Sequence, residues 1–126
     1  VYDFSTMRSD VTTLAGSVRL VSDLLLTMFP DATLLFVTPL QMSKTDAETV
    51  FKVSDIIERA AAEKGGFTLR ADKKSGIRHE EEVSEPKYTS DGVHTNPEGA
   101  RMLGKFILDF LISHLNSKTD KLSTDN

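Results

Sequence analysis

Apolar side chains recur at steps of three and four at Val11, Leu14, Ala15, Val18, Val21, Leu25 and Met28. That spacing predicts a helix over residues 10 to 29 with these side chains on one face. Asp10 is its candidate N-cap, because a carboxylate there can accept from an otherwise orphaned backbone N–H. Pro30-Asp31 stops the pattern. The next run, from Ala32 to Thr38, is apolar on both faces and reads as a buried strand of a parallel sheet, ended by Pro39. A second helix is expected over residues 46 to 64, starting near Asp46, with Val50, Val53, Ile57, Ala60 and Ala61 inward and Gly65-Gly66 at its close. Residues 67 to 71 alternate and predict a short strand. From Asp72 to Ser90 the chain is polar and shows no period. Asn96-Pro97-Glu98 then opens a last helix, since Asn caps, Pro suits the first helical position and Glu favours the positive end of the dipole. Ala100, Leu103, Phe106, Ile107, Phe110 and Leu111 form its inward stripe.

Helix, strand, helix, strand, loop, helix is the order of an α/β protein with right-handed crossovers and a mostly parallel sheet. Two strands are too few to bury three amphipathic helices, so further strands are expected outside this sequence. Residues 1–116 are accordingly read as the C-terminal part of one domain, and the polar residues 117–126 as a disordered tail.

Composition narrows the partners. The chain has 126 residues and a net charge of -4, and its 15 basic residues are dispersed. Nucleic acid, which is held by clustered Lys and Arg, is not expected as a partner. No apolar run approaches the roughly 18 residues that span a bilayer. Cysteine is absent, which excludes disulfides and thiolate metal sites and leaves the compartment open. The first residue is Val1, so the chain is expected to start within a longer product or after processing.

The stretch with most chemical content is Tyr88-Thr89-Ser90-Asp91-Gly92-Val93-His94-Thr95-Asn96-Pro97-Glu98-Gly99. Asp91 and His94 can lie side by side if the loop turns at Gly92. The carboxylate would then hold one imidazole nitrogen as N–H and leave the other free to take a proton from a nucleophile. Tyr88 is a candidate to line a substrate pocket beside them, or to pack the loop.

Asp-Gly-Val-His-x-Asn-Pro-Glu-Gly-Ala before an amphipathic terminal helix resembles the last conserved block of the SGNH/GDSL hydrolase family. Leu34-Leu35-Phe36-Val37-Thr38-Pro39, after Phe29-Pro30-Asp31-Ala32, is similar to that family's strand and loop preceding its variable region. The resemblance covers most of residues 18 to 115. It implies a flavodoxin-like three-layer α/β/α sandwich and cleavage of esters, often acyl groups on carbohydrates or lipids, without metal or organic cofactor. It also implies that Asp91 is the orienting acid and His94 the general base. The family's remaining blocks, a Gly-Asp-Ser nucleophile, a Gly donor and an Asn in Gly-x-Asn-Asp, have no match here. Asparagine occurs at Asn96, Asn116 and Asn126 and nowhere before His94. Ser5 lacks a preceding strand and glycine, and Ser17 falls mid-helix, so neither is expected as nucleophile. The serine and the oxyanion donors are therefore expected upstream of Val1 or on another chain.

Other candidates are weaker. His79-Glu80-Glu81-Glu82 offers hard metal ligands, but consecutive residues diverge, and a solvated charged loop is expected. His114 is expected in the last turn of the final helix, where a cation suits the dipole. Gly65-Gly66 does not make a phosphate loop, and no glycine-rich strand-to-helix turn supports a nucleotide binder. The expectation from sequence is a serine-dependent ester hydrolase of which this chain holds the Asp/His part. The alternative is a non-catalytic carbohydrate-binding or structural module.

Overall fold

The computed structural model describes residues 10–124. Helix α1 spans Leu14–Met28, strand β1 Leu35–Val37, helix α2 Ala47–Ala62 and strand β2 Phe67–Leu69. Short helices α3 (Ala71–Lys74) and α4 (His79–Ser84) follow, and α5 runs over Pro97–Thr124. β1 and β2 pair in parallel with Leu35, Phe36 and Val37 opposite Phe67, Thr68 and Leu69. A parallel pair cannot be joined by a tight turn, and α2 supplies the crossover.

This corrects the expected three-layer sandwich. Among the described residues the sheet has two strands only, and helices make up most of the structure. α1 packs on α2, and α2 on both strands and on α3. The core is correspondingly small: Val50, Ile56, Ala60 and Ala61 of α2 close over Ala15, Val18, Leu69, Ala71 and Ile77.

The helix starts follow local chemistry. Asp46 caps α2 by accepting from Thr49 N at 2.8 Å, and Asn96 Oδ1 accepts from Gly99 N at 2.9 Å at the head of α5. α1 starts later than expected: Thr13 is its N-cap, accepting from Gly16 N at 3.1 Å. Asp10 instead turns back on Thr12, whose N–H and hydroxyl it accepts at 2.9 Å and 2.6 Å.

The apolar stripe of α1 is only half used. Ala15 and Val18 are buried, whereas Val21, Leu25 and Met28 are 46%, 37% and 66% exposed. Leu108, Leu111, Ile112 and Leu115 of α5 are exposed as well. Periodicity selects the faces, but two strands do not cover them. Residues 117–124, expected to be disordered, prolong α5 to Thr124. His114 therefore lies inside the helix rather than in its last turn, with its ring edge-on to Phe67 at 5.1 Å and stacked on Phe110 at 6.1 Å. No helix among the described residues is long and apolar enough to cross a membrane.

The segment 72–90, read as polar and aperiodic, is built with the adjoining Arg70 on buried charge. Arg70 Nε and Nη2 bind both oxygens of Asp72 at 2.8 Å and 2.6 Å, and Nη1 reaches Asp55 and Glu58 at 2.7 Å each. Thr38, at the end of β1, donates to Asp72 at 2.9 Å. Burial works to raise the Asp72 pKa, but the Arg70 guanidinium and the Thr38 hydroxyl bring it below the usual carboxylate range. Polar satisfaction, not hydrophobic periodicity, orders this region.

Candidate functional site

The loop between α4 and α5 closes on itself as a narrow hairpin. Thr89 and Thr95 form an antiparallel bridge, and Ser90 N donates to His94 O at 2.9 Å. Asp91, Gly92, Val93 and His94 form the tip. Gly92 takes φ +83°, a left-handed conformation that L side chains rarely adopt. A Cβ at Gly92 would also run into the Ser43 hydroxyl. That contact belongs to the segment behind the tip: Lys44 N and Ser43 Oγ donate to Gly92 O at 3.3 Å and 3.4 Å.

Asp91 uses both carboxylate oxygens. Oδ1 accepts from Val93 N at 2.9 Å and from His94 N at 2.7 Å, an Asx-type turn. Oδ2 lies 2.6 Å from His94 Nδ1. The His94 ring beside it, helped by the two backbone N–H groups, holds the Asp91 carboxyl well below the usual carboxylate range. An ionised carboxylate only accepts, so Nδ1 carries the proton and donates. In the neutral imidazole Nε2 is then the basic nitrogen, the arrangement a general base requires. The side chains of His94 and Asp91 are 79% and 54% exposed, so the pair stands open to solvent.

The structure thus brings Asp91 and His94 together on one exposed loop. Tyr88 is half-buried at the foot of the hairpin. Its carbonyl accepts from Asn96 N at 2.9 Å, and the Lys87 ammonium sits 5.1 Å above its ring. Gly99 is needed where α5 passes this residue, since a Cβ there would collide with the Tyr88 carbonyl oxygen. Ser17 lies in α1 with its hydroxyl donated to Val11 O at 3.0 Å. Ser5 lies outside the described residues.

The His79-Glu80-Glu81-Glu82 run is a helix, α4, and not a solvated loop. Its side chains diverge. His79 Nδ1 meets Met42 O at 2.7 Å, Glu80 and Glu81 are exposed, and Glu82 is wholly buried. Among the described residues no group of three or more His, Asp or Glu could hold a metal ion.

Glu82 is the residue that sequence reasoning passes over. Its Oε1 accepts from Lys87 N at 3.1 Å and Tyr88 N at 2.8 Å. Its Oε2 accepts from Thr89 N at 3.1 Å and Thr89 Oγ1 at 2.6 Å. Burial works to raise its pKa, yet the Thr89 hydroxyl and the three N–H groups outweigh it and leave the carboxyl below its ordinary value. Nothing in a run of three glutamates marks the third as buried. The one available signal is the density of backbone donors that a tight turn a few residues later must satisfy.

A concavity of about 860 Å³ opens beside α4 and is lined by Glu80, Glu81, Ser84, Glu85, Pro86 and Lys87. It includes neither Asp91 nor His94, so size alone does not mark the chemistry. The hydrogen-bonded acid–base pair is the stronger guide, because a role in proton transfer rests on geometry.

No protein-family model matches the chain, and no curated protein does. The fold is similar to a crystal structure of a Lactobacillus plantarum protein solved by a structural genomics consortium, with a TM-score of 0.74 at 20% identity. The match covers 84% of this chain and 56% of that one, so the chain spans little more than half the length of the protein it resembles.

Proposed function

We propose that this chain supplies the acid–base half of a serine-dependent ester hydrolase of the SGNH/GDSL type. One observation carries the reading: the 2.6 Å contact that fixes His94 Nδ1 on Asp91 and leaves Nε2 as the base. In the proposed reaction His94 Nε2 takes the proton of a serine hydroxyl as its oxygen attacks the ester carbonyl. Asp91 stabilises the imidazolium, and His94 returns the proton to the departing alcohol. Water, activated by the same nitrogen, then releases the acid and restores the serine. Ester substrates of this kind include acyl groups on carbohydrates or lipids, and Tyr88 would border the acyl or sugar group. The chemistry needs no metal or organic cofactor.

The serine and the oxyanion donors belong to sequence outside these 126 residues, where the missing Gly-Asp-Ser and Gly-x-Asn-Asp blocks would lie. The exposed apolar faces of α1 and α5 and a structural match of which this chain covers 56% favour a chain that works as part of a larger unit. A second reading, a non-catalytic carbohydrate-binding or structural module, draws on the absence of both blocks from the sequence in hand. A fluorophosphonate probe separates the two when applied to the complete protein. Covalent labelling of a serine, lost in His94→Ala, supports the hydrolase; an unlabelled, folded protein supports the module.

A further inference from the structure

We infer that Glu82 is the positioning residue of the Asp91–His94 pair, its buried carboxylate setting where the hairpin that carries the pair stands. The role in catalysis rests on the hydrolase reading; the role in geometry does not. A carboxylate with no exposed surface is costly unless its lone pairs are filled. Here they are filled by donors from three consecutive residues, Lys87, Tyr88 and Thr89, rather than by a cation. Successive N–H groups converging on one anion curl the backbone into a concave nest. Thr89, the last of the three, opens the first stem of the hairpin by bridging Thr95, and Asp91 follows two residues later.

The second stem is tied to the same point. Thr95 bridges Thr89, Asn96 N donates to Tyr88 O at 2.9 Å, and Asn96 Nδ2 donates to Lys87 O at 2.7 Å. Asn96 also caps α5. The buried carboxylate thus joins α4, both stems of the hairpin and the head of α5 in one network at the base of the Asp91–His94 tip, which Ser43 and Lys44 contact separately at Gly92 O. Chemistry explains why glutamate is required. Glutamine would turn an amide N–H₂ toward two of the four donors, and aspartate is one methylene too short to serve both Tyr88 and Thr89 from α4. Such a residue touches neither substrate nor His94, yet a misplacement of about 1 Å at a reacting group can cost on the order of 100-fold in rate.

The test uses the complete protein and its Glu82→Gln, Thr89→Val and Ile56→Ala variants. The Asp91 carboxyl is titrated by carbon NMR, and p-nitrophenyl acetate turnover is measured beside it. The groups that face the Asp91 carboxylate are the His94 ring and the N–H groups of Val93 and His94, so its titration reports the tip geometry. Glu82→Gln should raise the Asp91 midpoint toward the ordinary carboxylate range and lower kcat about 100-fold with KM within about threefold. Thr89→Val, which removes one donor and keeps the shape, should shift both in the same direction by less. Ile56→Ala, a core truncation in α2, should lower the melting temperature and move neither. An unchanged Asp91 midpoint in Thr89→Val or in folded Glu82→Gln overturns the inference. So does an equal shift in Ile56→Ala. If no variant and no parent protein turns over ester, the hydrolase reading fails, and the Asp91 titration still decides the role of Glu82.

Discussion

Asp91 holds His94 at two points, accepting the backbone N–H at 2.7 Å with one oxygen and meeting ring Nδ1 at 2.6 Å with the other. The residue that orients the imidazole therefore also builds the turn that brings it near. Replacing either side chain should have unequal effects. His94→Ala removes the base and should lower kcat of the complete protein by several powers of ten, on the order of the loss for a triad member. Asp91→Asn should cost about 10⁴-fold, the scale measured for that change in a serine protease, because the amide permits the wrong tautomer. Steady-state turnover of both variants checks this. Near-normal activity in either would remove it from the proposed site.

Buried carboxylates should govern the response to acid. Glu82 and Asp72 both have folded pKa values below their ordinary 4.5 and 3.8. Their folded forms bind protons less readily than the unfolded chain. The stability they confer is therefore fully present above the ordinary values and is lost as pH falls through the lower folded ones. Urea midpoints measured from about pH 6 down to about pH 3 should fall most steeply below about 4.5. Glu82→Gln should flatten that decline. It should also cost on the order of 3 kcal/mol near neutrality, since two of the four donors lose their acceptor at about 1–3 kcal/mol each. A variant that loses stability in parallel with the parent across this range would contradict the assignment.

The hairpin tip should tolerate no side chain at Gly92. Its φ of +83° costs an L residue roughly 1–2 kcal/mol, and the added Cβ meets the Ser43 hydroxyl. Gly92→Ala should lower the thermal midpoint and reduce turnover more than stability alone explains, because Asp91 directly precedes that position and His94 lies two residues after it. Equal activity per folded molecule would show that the tip geometry is not what matters.

How much of this was legible in the residues varies with the physics behind each feature. Asn96 was recognisable as a cap, and Asp46 as lying near a helix start, because capping is local and decided within three residues of chain. The parallel strands and the crossover helix followed from apolar runs of strand and helix length. The cap at Thr13 was not legible, since Asp10 and Thr13 offer the same oxygen chemistry, and the choice falls to packing of Ala15 and Val18 on α2. The layer count failed because periodicity names an apolar face without naming what covers it. Val21 and Met28 satisfy the helical period and remain exposed. Glu82 and the Arg70–Asp72 pair were invisible for a different reason. Their burial depends on donors brought together by the folded chain, which no single-residue scale records. Asp91 and His94 were legible through the longer Asp-Gly-Val-His-Thr-Asn-Pro-Glu-Gly stretch; the spacing alone permits their pairing but equally suits a turn Asp beside a surface His.

The acidic surface of α4 should be dispensable. Glu81→Ala should leave turnover within about threefold, since exposed substitutions away from special features are usually mild. His79→Ala should do the same for turnover, although it forfeits the 2.7 Å contact with Met42 O. A chelator should not reduce activity. Loss of activity with a chelator, restored by one divalent ion, would bring a metal role back to this helix.

The central claim, that this chain contributes the acid–base half of a site whose nucleophile lies elsewhere, is most directly tested by p-nitrophenyl acetate turnover. The comparison is among the isolated 126-residue chain, the complete protein and the complete protein with His94→Ala. Background rates are expected from the isolated chain, catalysed turnover from the complete protein, and loss of that turnover, by about 10³-fold or more, in the variant. His94-dependent turnover by the isolated chain, or turnover in the complete protein indifferent to His94, would contradict it.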